Sequence, residues 1–332
     1  MKVRTFLKVL GGAIILPATT GLTGLTGCSA EIPPEATIGW REPGAETDIR
    51  RWVLSYALLA PHSHNLQSWI ADIRRPAEIV LRCDLSRLLP ETDPYSRQIM
   101  MSHGTFLELL DLAARERGFR ADIELFPEGS FDVVRLDARP VARIRLNPDA
   151  AIQKDPLFAQ IVKRRTNRSL YDAHRPVPPQ TWAAMTQAIR TDKVVLGYVD
   201  MGSPESMAQH RRIASDAWRI ELTTPRTVLE SYKALRIGAE EILKHRDGIS
   251  IMDPKLVWLD RLGLFDRSRA PEPDAFATTS QIKEFDSKLD TTPSFLWMNT
   301  PKNDRLAQIA AGRAYALTVR AIAIRVPEMA VK

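Results

Sequence analysis

The sequence predicts an α+β fold, because two different apolar periods alternate along the chain. Apolar residues recur at helical spacing in five long stretches, and short apolar runs of strand length lie between them. The 332 residues are enough for one large or two small domains with a full core. The formal charge of +6 falls to +3 without Lys2, Arg4 and Lys8. This small surplus, with no clustered basic face, does not indicate a nucleic-acid partner.

The elements follow one another in a mixed order. Helices are predicted for Ile49–Ala60, Met101–Ala114, Glu205–Leu222, Thr227–His245 and Asp304–Ile324. Strands are predicted for Trp69–Ile73, Ala121–Pro127, Val194–Val199, Ser294–Met298 and a hairpin of Val133–Leu136 with Val141–Leu146. The region Gly248–Arg269, broken by a Pro, is predicted to be an insertion with helical portions.

Residues 1–27 have the composition of an export signal. Basic residues precede an apolar core, Val9–Leu16, that is too short to span a bilayer. The following Leu25-Thr26-Gly27-Cys28 is similar to the bacterial lipobox, which implies that Cys28 is lipidated. We therefore expect an exported lipoprotein, anchored to the bacterial membrane on its periplasmic side.

Two further details concern export. Residues 4–8 resemble the tail of a twin-arginine (Tat) motif, with Val3 in place of its first Arg, so the Sec and Tat routes both stay open. Ser29 favours the outer membrane if the host is Gram-negative. Residues 28–46, rich in Pro and Gly from Glu31 onward, are predicted to tether the lipid anchor to the fold.

The most informative stretch is the loop between the first helix and the first strand. It contains Pro, Ser, Asn and two histidines, and no apolar period runs through it. Such a loop offers hydroxyl, amide and backbone groups to a flat polar ligand. Its candidate binding residues are Pro61, His62, Ser63, Asn65 and Gln67.

A second candidate element is the basic run Lys163–Tyr171. In an extended segment, the side chains of Arg164, Thr166 and Arg168 point to one face. Two guanidinium forks and a hydroxyl on one face suit a phosphate and a hydroxylated chain. The alternative is an ordinary solvated basic run.

Together, these two elements resemble those of the nitroreductase family. The loop is similar to the family's flavin mononucleotide (FMN) loop, Ala-Pro-Ser-x-x-Asn-x-Gln-Pro-Trp, with His62 in place of the first Ser and Ser68 in place of the second Pro. The basic run is similar to the family's Arg-Arg-Ser-x-Arg-x-Phe motif.

The order of the motifs is unusual for that family. In ordinary nitroreductases the Arg motif comes first, and the partner subunit of a dimer completes each FMN site. Here the loop precedes the Arg motif by about a hundred residues, which resembles the fused two-copy, Acg-like branch. That likeness implies two nitroreductase-like halves, residues 47–150 and 151–332, in one monomeric pseudo-dimer.

Weak internal similarity agrees with two halves. The helix Met101–Ala114 aligns with Ala310–Ile322, and Gly104 then falls on Gly312. The first copy continues into a strand, whereas the second stops without one. We therefore expect a truncated C-terminal half, lacking late residues that contact the flavin phosphate in the family.

The resemblance implies two-electron chemistry performed by FMN, with no catalytic side chain. Within the basic run, it assigns Arg164 and Arg168 to the phosphate, Thr166 to ribityl or phosphate oxygens, and Arg165 to the same binding set. The implied partners are NAD(P)H as donor and a nitro, quinone or similar small-molecule acceptor.

In the loop, the resemblance assigns Asn65 to the pyrimidine edge of the isoalloxazine, with backbone groups near Pro61 and His62 assisting. Ser63 is assigned to ribityl or phosphate oxygens, and Gln67 to fixing the loop. In the Acg-like branch, the region matching residues 248–269 is a lid over the flavin.

Three functions stay open at this stage. The first is an exported FMN oxidoreductase. The second is a flavin-binding or flavin-sequestering protein without turnover, in which the lid bars nicotinamide from the ring. The third is a degenerate structural lipoprotein without cofactor.

Other candidate residues are interpreted as structural. His62 and His64 lack a carboxylate or Cys at ligand spacing, which disfavours a metal site. His103 is predicted to be a capping or core residue, Asp93 a helix N-cap, and Cys83 buried and inert. No dinucleotide, phosphate-loop or serine-hydrolase motif occurs.

Overall fold

The computed structural model describes residues 31–41 and 43–325. It confirms the α+β class: helices and strands mix throughout this part of the chain. The predicted signal and the lipidation residue Cys28 lie outside the described residues. Among the helices that are described, none is both long enough and apolar enough to cross a membrane.

The N-terminal body combines helices with one four-stranded sheet. Its elements are α1 (Ile38–Arg41), α2 (Ile49–Ala57), β1 (Trp69–Asp72), β2 (Glu78–Cys83), α3 (Arg97–Glu116), β3 (Phe119–Leu125) and β4 (Pro140–Pro148). The strand order is β1-β2-β4-β3, and every neighbouring pair is antiparallel. Helix α3 is buried along most of its length because its apolar residues cover more than one face.

The N-terminus of α3 is held as the sequence predicts. The buried Asp93 carboxylate accepts hydrogen bonds from the backbone N–H groups of Arg97 (2.8 Å) and Ile99 (3.0 Å). These are two of the N–H groups that a helix start leaves without a partner within the helix. Asp93 therefore caps the start of α3 through its side chain, but the N-cap position predicted for it is occupied by Ser96.

The predicted hairpin before β4 is wrong in its first strand. Residues 133–136 form no strand, and β4 pairs instead with β2 and β3. The Asp132 carboxylate accepts a hydrogen bond from the Val134 N–H at 2.7 Å, and this local turn uses a backbone donor that a ladder would need. Val133 and Val134 are accordingly exposed.

The second part of the chain repeats the helix–strand–strand–helix order of α2, β1, β2 and α3. Here the elements are α4 (Pro179–Ala188), β5 (Val195–Asp200), β8 (Ser294–Asn299) and α10 (Arg305–Arg325). Strands β5 and β8 pair antiparallel, as β1 and β2 do. The predicted strands in both regions, and the predicted last helix, are confirmed.

A long helical insertion separates β5 from β8. It consists of α5 (Pro204–Thr223), α6 (Pro225–Lys233), β6 (Leu235–Ile237), α7 (Gly238–His245), β7 (Ile249–Ile251), α8 (Pro254–Arg261) and α9 (Phe276–Thr291). The single helix predicted for Thr227–His245 is wrong, because β6 interrupts it. Gly238 has φ +78°, which an L side chain rarely adopts, and the chain turns there into α7.

Helices α3 and α10 pack directly against each other at two glycines. A Cβ on Gly104 would overlap the carbonyl oxygen of Ile309 and lie 3.0 Å from Gly312 Cα. A Cβ on Gly312 would overlap the carbonyl oxygen of Met101. Each glycine thus faces the residue three positions before the other glycine. The contact between the two glycines is therefore reciprocal.

The described part of the segment predicted as a tether packs against the N-terminal body. Trp40 is half-buried against the core, and the Gly44 N–H donates to Ser55 Oγ at 2.9 Å. Gly44 has φ +88°, and a Cβ there would lie 2.8 Å from Trp52 Nε1. A Pro- and Gly-rich composition does not reveal such tertiary contacts, so the sequence predicted a longer free stretch than the structure has.

The reciprocal glycine contact predicts that Gly312→Ala destabilises the fold strongly. The new methyl group meets backbone rather than a movable side chain, so we expect a loss of about 3 kcal/mol of unfolding free energy. The measurement is urea unfolding of the full chain. The matched control is Gly39→Ala, whose Cβ would have Leu59 as its nearest neighbour at 4.0 Å, and which should be neutral or mildly stabilising. Equal stability of both variants would contradict a backbone-contact crossing.

Candidate functional site

The loop 61–68 is fastened to helix α3 by polar contacts. Thr105 Oγ1 donates to the Pro61 carbonyl at 2.8 Å, and the Ser63 N–H donates to Ser102 Oγ at 3.3 Å. The Ser63 hydroxyl also donates to the side-chain oxygen of Gln98 at 3.3 Å. Helix α3 therefore sets the position of the loop relative to the α3–α10 crossing.

The loop backbone is strained at three positions. His64, Asn65 and Gln67 have φ values of 49°, 51° and 52°, in the left-handed region that non-glycine residues seldom adopt. Such residues persist only where surrounding contacts hold them, and they cluster at functional sites. The strain therefore marks this loop as a candidate site independently of its sequence motif.

His62 and Ser68 hold the loop closed from within. The Ser68 N–H donates to His62 Nε2 at 3.1 Å, and the Ser68 hydroxyl lies 2.7 Å from the same nitrogen. The Nε2 atom is then an acceptor, which assigns the ring proton to Nδ1, 2.8 Å from the Ser63 carbonyl. Burial lowers the pKa of His62 to about 4, so the ring is neutral at pH 7.

This bond pairs the two positions at which the loop departs from the family pattern. Pro has no N–H, so only a residue such as Ser68 can donate to the ring of His62 from that position. The two substitutions are therefore linked physically. His62 keeps its predicted place in the loop, with both ring nitrogens engaged inside it.

The other end of the loop binds the turn between α7 and β7. Asn65 Nδ2 donates to the Gly248 carbonyl at 3.2 Å, and the Gly248 N–H donates back to the Asn65 carbonyl at 3.0 Å. Gln67 Nε2 donates to the Arg246 carbonyl at 2.8 Å. The predicted lid thus begins at residues that the loop itself holds. Gln67 has the loop-fixing contact that the sequence predicted.

An ion network that the sequence did not reveal supports the same contact. Arg87 donates to the Leu66 carbonyl at 2.7 Å and to the buried Asp247 carboxylate at 2.8 Å. Arg236 donates to the other oxygen of Asp247 at 2.8 Å. The two arginines and Asp247 come from positions up to 160 apart, so no local pattern signals them.

The basic run is irregular chain between β4 and α4, and its residues are buried to different degrees. Arg164 is half-buried, and its Nη1 donates to Thr166 Oγ1 at 3.2 Å, so these two share a side as predicted. Arg165 and Arg168 are exposed. The Arg164 and Arg165 guanidiniums lie over the Trp40 ring, 5.3 and 5.2 Å from its centroid.

The Nε atom of Arg164 has an unusual environment. Its Nε is buried and has no hydrogen-bond partner among the described residues. Burial lowers the pKa of the Arg164 guanidinium below its ordinary value of 12.5. A buried N–H without a partner is rare and points to a missing acceptor.

The loop and the basic run meet the same pair of helices rather than each other. The loop bonds to α3, and the 3-10 turn Phe158–Gln160, before the basic run, packs against both α3 and α10. The Arg164 N–H donates to the Gln160 carbonyl at 3.2 Å. Within the described residues, no hydrogen bond or ion pair joins the loop to residues 163–168.

The remaining candidates have structural settings. His103 is fully buried in α3, and burial lowers its pKa. Cys83 is buried as predicted, which raises the pKa of its thiol to about 12. His174 is exposed in a turn. Among the described residues, no group of three or more His, Cys, Asp or Glu side chains could hold a metal ion.

Comparison with known proteins adds one distant relationship. No family model matches the chain. Proteins from two strains of Mycobacterium tuberculosis, each named "Putative NAD(P)H nitroreductase", are 26% identical to it over 291 residues. The match covers 83% of this chain and 73% of each relative. The chain is thus distantly homologous to these proteins over most of its length.

The low pKa of His62 predicts a pH-dependent stability. An unfolded His titrates near pH ~6.5, whereas His62 titrates at about 4 in the fold, so the unfolded chain binds more protons between these values. Its contribution is complete above pH ~6.5 and is lost as the pH falls toward ~4, at a cost of about 3 kcal/mol.

The measurement is the unfolding free energy at pH 7 and at pH 4.5, for the parent chain and for His62→Gln. We expect the parent to lose about 2 kcal/mol more than the variant. Exposed His174→Gln is the control and should behave as the parent. Identical pH profiles for His62→Gln and the parent would refute the neutral, buried ring.

Proposed function

We propose that this protein is an FMN-binding oxidoreductase of nitroreductase type. It would catalyse the two-electron reduction of a nitro, quinone or similar acceptor, with NAD(P)H as the electron donor. When bound, FMN supplies the hydride chemistry itself. The chain's own residues hold the cofactor, orient it and control access to it.

The observation that carries this proposal is the distant homology combined with the two motifs. A contiguous match over 83% of the chain leaves only about 56 residues outside it. It therefore includes both the loop 61–68 and the run 163–168 wherever it begins. Both motifs thus lie in the region shared with proteins named as nitroreductases.

The geometry supports a pseudo-dimer as the setting for this site. Two helix–strand–strand–helix runs occur, and their last helices cross with the reciprocal contact of Gly104 and Gly312. The loop of the first run bonds to α3, and the turn just before the basic segment, which precedes the second run, packs against both α3 and α10. In a homodimer, the two segments at such a helix pair would come from two separate chains.

The residues present fit the cofactor. Arg164 has a buried N–H without an acceptor, and Thr166 is beside it, which suits a phosphate and a ribityl oxygen. Asn65 is exposed, and its side-chain N–H donates to the Gly248 carbonyl. Its amide oxygen stays available to accept a hydrogen bond from the pyrimidine edge of the flavin. Arg168 and Arg165 add positive charge near the phosphate.

A second function, flavin sequestration without turnover, is favoured by one specific contact. Gly248, the first residue of the predicted lid, is bonded to Asn65, and Arg246, two residues before the lid, is bonded to Gln67. A lid held this way would keep nicotinamide from the ring. The test is NAD(P)H oxidation by the FMN-loaded chain with a quinone acceptor: turnover supports the oxidoreductase, and bound flavin without turnover supports sequestration.

Export and lipidation at Cys28 belong to this proposal as well. The relevant residues lie outside the described part of the chain, so the support is the sequence pattern alone. Mass spectrometry of the mature N-terminus in the native host measures it directly. A diacylated Cys28 is the expected result, and an intact residue 1–27 segment would contradict it.

The site assignment predicts that Arg164→Ala combined with Arg168→Ala weakens FMN. Loss of two charge-assisted phosphate contacts should cost about 3 kcal/mol, or roughly a hundredfold in Kd. Quenching of FMN fluorescence gives the affinity. The control replaces Arg212 and Arg219, two exposed arginines on α5, by Ala and should bind FMN normally. Unchanged affinity in the first double variant would refute the assignment.

A further inference from the structure

A cluster of exposed apolar side chains lies at the end of helix α8, within the predicted lid. Trp258, Leu259, Leu262 and Leu264 are 42%, 37%, 64% and 50% exposed, and all four fall within one stretch of seven residues. Single apolar residues are normal on a protein surface, whereas several together mark a surface that contacts a protein or a membrane. We call these four residues the α8 patch.

The backbone at the end of α8 holds the patch together. The Leu262 N–H donates to the Trp258 carbonyl at 3.0 Å, which closes the last turn of the helix. The Leu264 N–H donates back to the Leu259 carbonyl at 2.8 Å, and Gly263 before it has φ +66°. A glycine in this conformation is a common helix end. The four side chains are therefore presented as one ordered surface.

The same segment has a second side that packs inward. Val257 is buried against α7, since a Cβ on Gly238 would lie 3.6 Å from its Cγ1. Arg267 then ties the chain to α7, with hydrogen bonds to Glu241 at 3.0 Å and to Asp260 at 2.7 Å. The segment is therefore amphipathic, and its apolar outer side is fixed in place by the polar and apolar contacts of its inner side.

Basic residues surround the patch. Residues 254–269 contain four basic and two acidic side chains. Lys255 and Arg269 are exposed, and the Arg261 guanidinium lies 6.0 Å from the centroid of the Trp258 ring. Trp and Leu flanked by Lys and Arg are typical of segments that lie in the interface of a membrane with anionic lipids.

The N-terminal segment relates this surface to the proposed lipid anchor. The turn Pro34–Thr37 contacts α7, the helix against which α8 packs. Because α7 has eight residues, it spans only about 12 Å. Cys28 precedes Pro34 by six residues, which reach about 20 Å at most. An acyl chain on Cys28 would therefore hold this side of the protein close to the bilayer.

Two other occupants fit the observations less well. A stable dimer needs about 800 Å² from each partner, which is more than four partly exposed side chains at one helix end supply. Closure of the patch over the flavin site would bring it to the loop 61–68. That loop instead bonds to Arg246 and Gly248, which precede the patch by ten residues or more.

We propose that the α8 patch docks on the phospholipid bilayer to which Cys28 anchors the protein. Trp258, Leu262 and Leu264 enter the interfacial region, and the basic residues around them meet anionic headgroups. The proposal rests on the lipidation of Cys28 that belongs to the proposed function. It gives the predicted lid a membrane contact on its outer side, in addition to the contact of Gly248 with the loop.

The first experiment measures the patch without an acyl chain. The protein is the mature chain, residues 28–332 with Cys28→Ser, so that neither the export signal nor a lipid contributes. Binding to vesicles of equal parts phosphatidylcholine and phosphatidylglycerol is followed by co-sedimentation. We expect Leu262→Ser combined with Leu264→Ser to bind at least tenfold more weakly than the parent. The melting temperature should not change, because both side chains are exposed.

The matched control is Ile213→Ser combined with Ile220→Ser. These two residues of α5 are 58% and 66% exposed, similar to the two leucines, but lie outside the patch. The control should bind vesicles as the parent does. Equal binding by the leucine variant and the control would overturn the docking surface.

A second arm locates the contact by fluorescence. Vesicles with brominated acyl chains quench tryptophans that enter the bilayer. We expect quenching in the parent and its loss in Trp258→Phe, which keeps an aromatic side chain and should still bind. Quenching that survives in Trp258→Phe would place the contact elsewhere and overturn the proposal.

Absence of vesicle binding by the parent also overturns it, and two further readouts then identify the occupant. Dimerisation that is lost in the leucine variant would assign the patch to a second copy of the chain. Quenching of Trp258 by added FMN would assign it to the flavin site.

The two proposals fail separately. A lipidated Cys28 without patch-dependent vesicle binding overturns the docking surface and leaves the proposed function standing. An unprocessed N-terminus in the native host, with vesicle binding that still depends on Leu262 and Leu264, refutes lipidation and leaves the docking surface standing.

Discussion

The backbone contact between α3 and α10 is the constraint on which the rest of the structure depends. Because Gly104 and Gly312 have no Cβ, the two helices approach until each glycine meets the carbonyl oxygen three residues before the other. That approach brings the loop carried on α3 and the cations carried on or beside α10 to one helix pair. A larger residue at either glycine would push α3 and α10 apart, and the loop and the basic run would move apart with them.

The loop and the basic run differ in how far their polar groups have hydrogen-bond partners. In the loop, a strained backbone is held by its own side chains, with His62 bonded to Ser68 and Asn65 bonded to Gly248. Near Arg164, donors are left without acceptors. The loop therefore has its backbone held by contacts of its own side chains, while His64 Nδ1 in the loop and Arg164 Nε in the basic run are buried atoms without a hydrogen-bond partner among the described residues.

The sequence predicted those features that depend on local periodicity. The buried α3 and the strands β1, β3, β4, β5 and β8 follow from apolar spacing. Self-similarity aligned Gly104 with Gly312 but did not predict that the two glycines are in contact, and β2 was not predicted. Local patterns failed where one residue overrides periodicity. The strand β6 interrupts an otherwise helical stretch before Gly238, and the turn at Asp132 removes a strand.

Ion pairs between distant positions and the burial of single charged residues could not be predicted from the sequence, for a different reason. Asp247 meets Arg87 across 160 positions, and Arg320 resembles any helical arginine until its burial is known. The loop motif, in contrast, could be found because its residues are contiguous. Its internal bond could not, because bonding between His62 and Ser68 depends on a backbone conformation that only the fold provides.

We propose that one chain forms a complete flavin site without a partner subunit. The most direct measurement is the visible absorption spectrum of the full chain after addition of FMN and removal of excess, together with its mass in solution. The account predicts a yellow monomer with one FMN per chain. A colourless protein after reconstitution, or flavin bound only by a dimer, would contradict it.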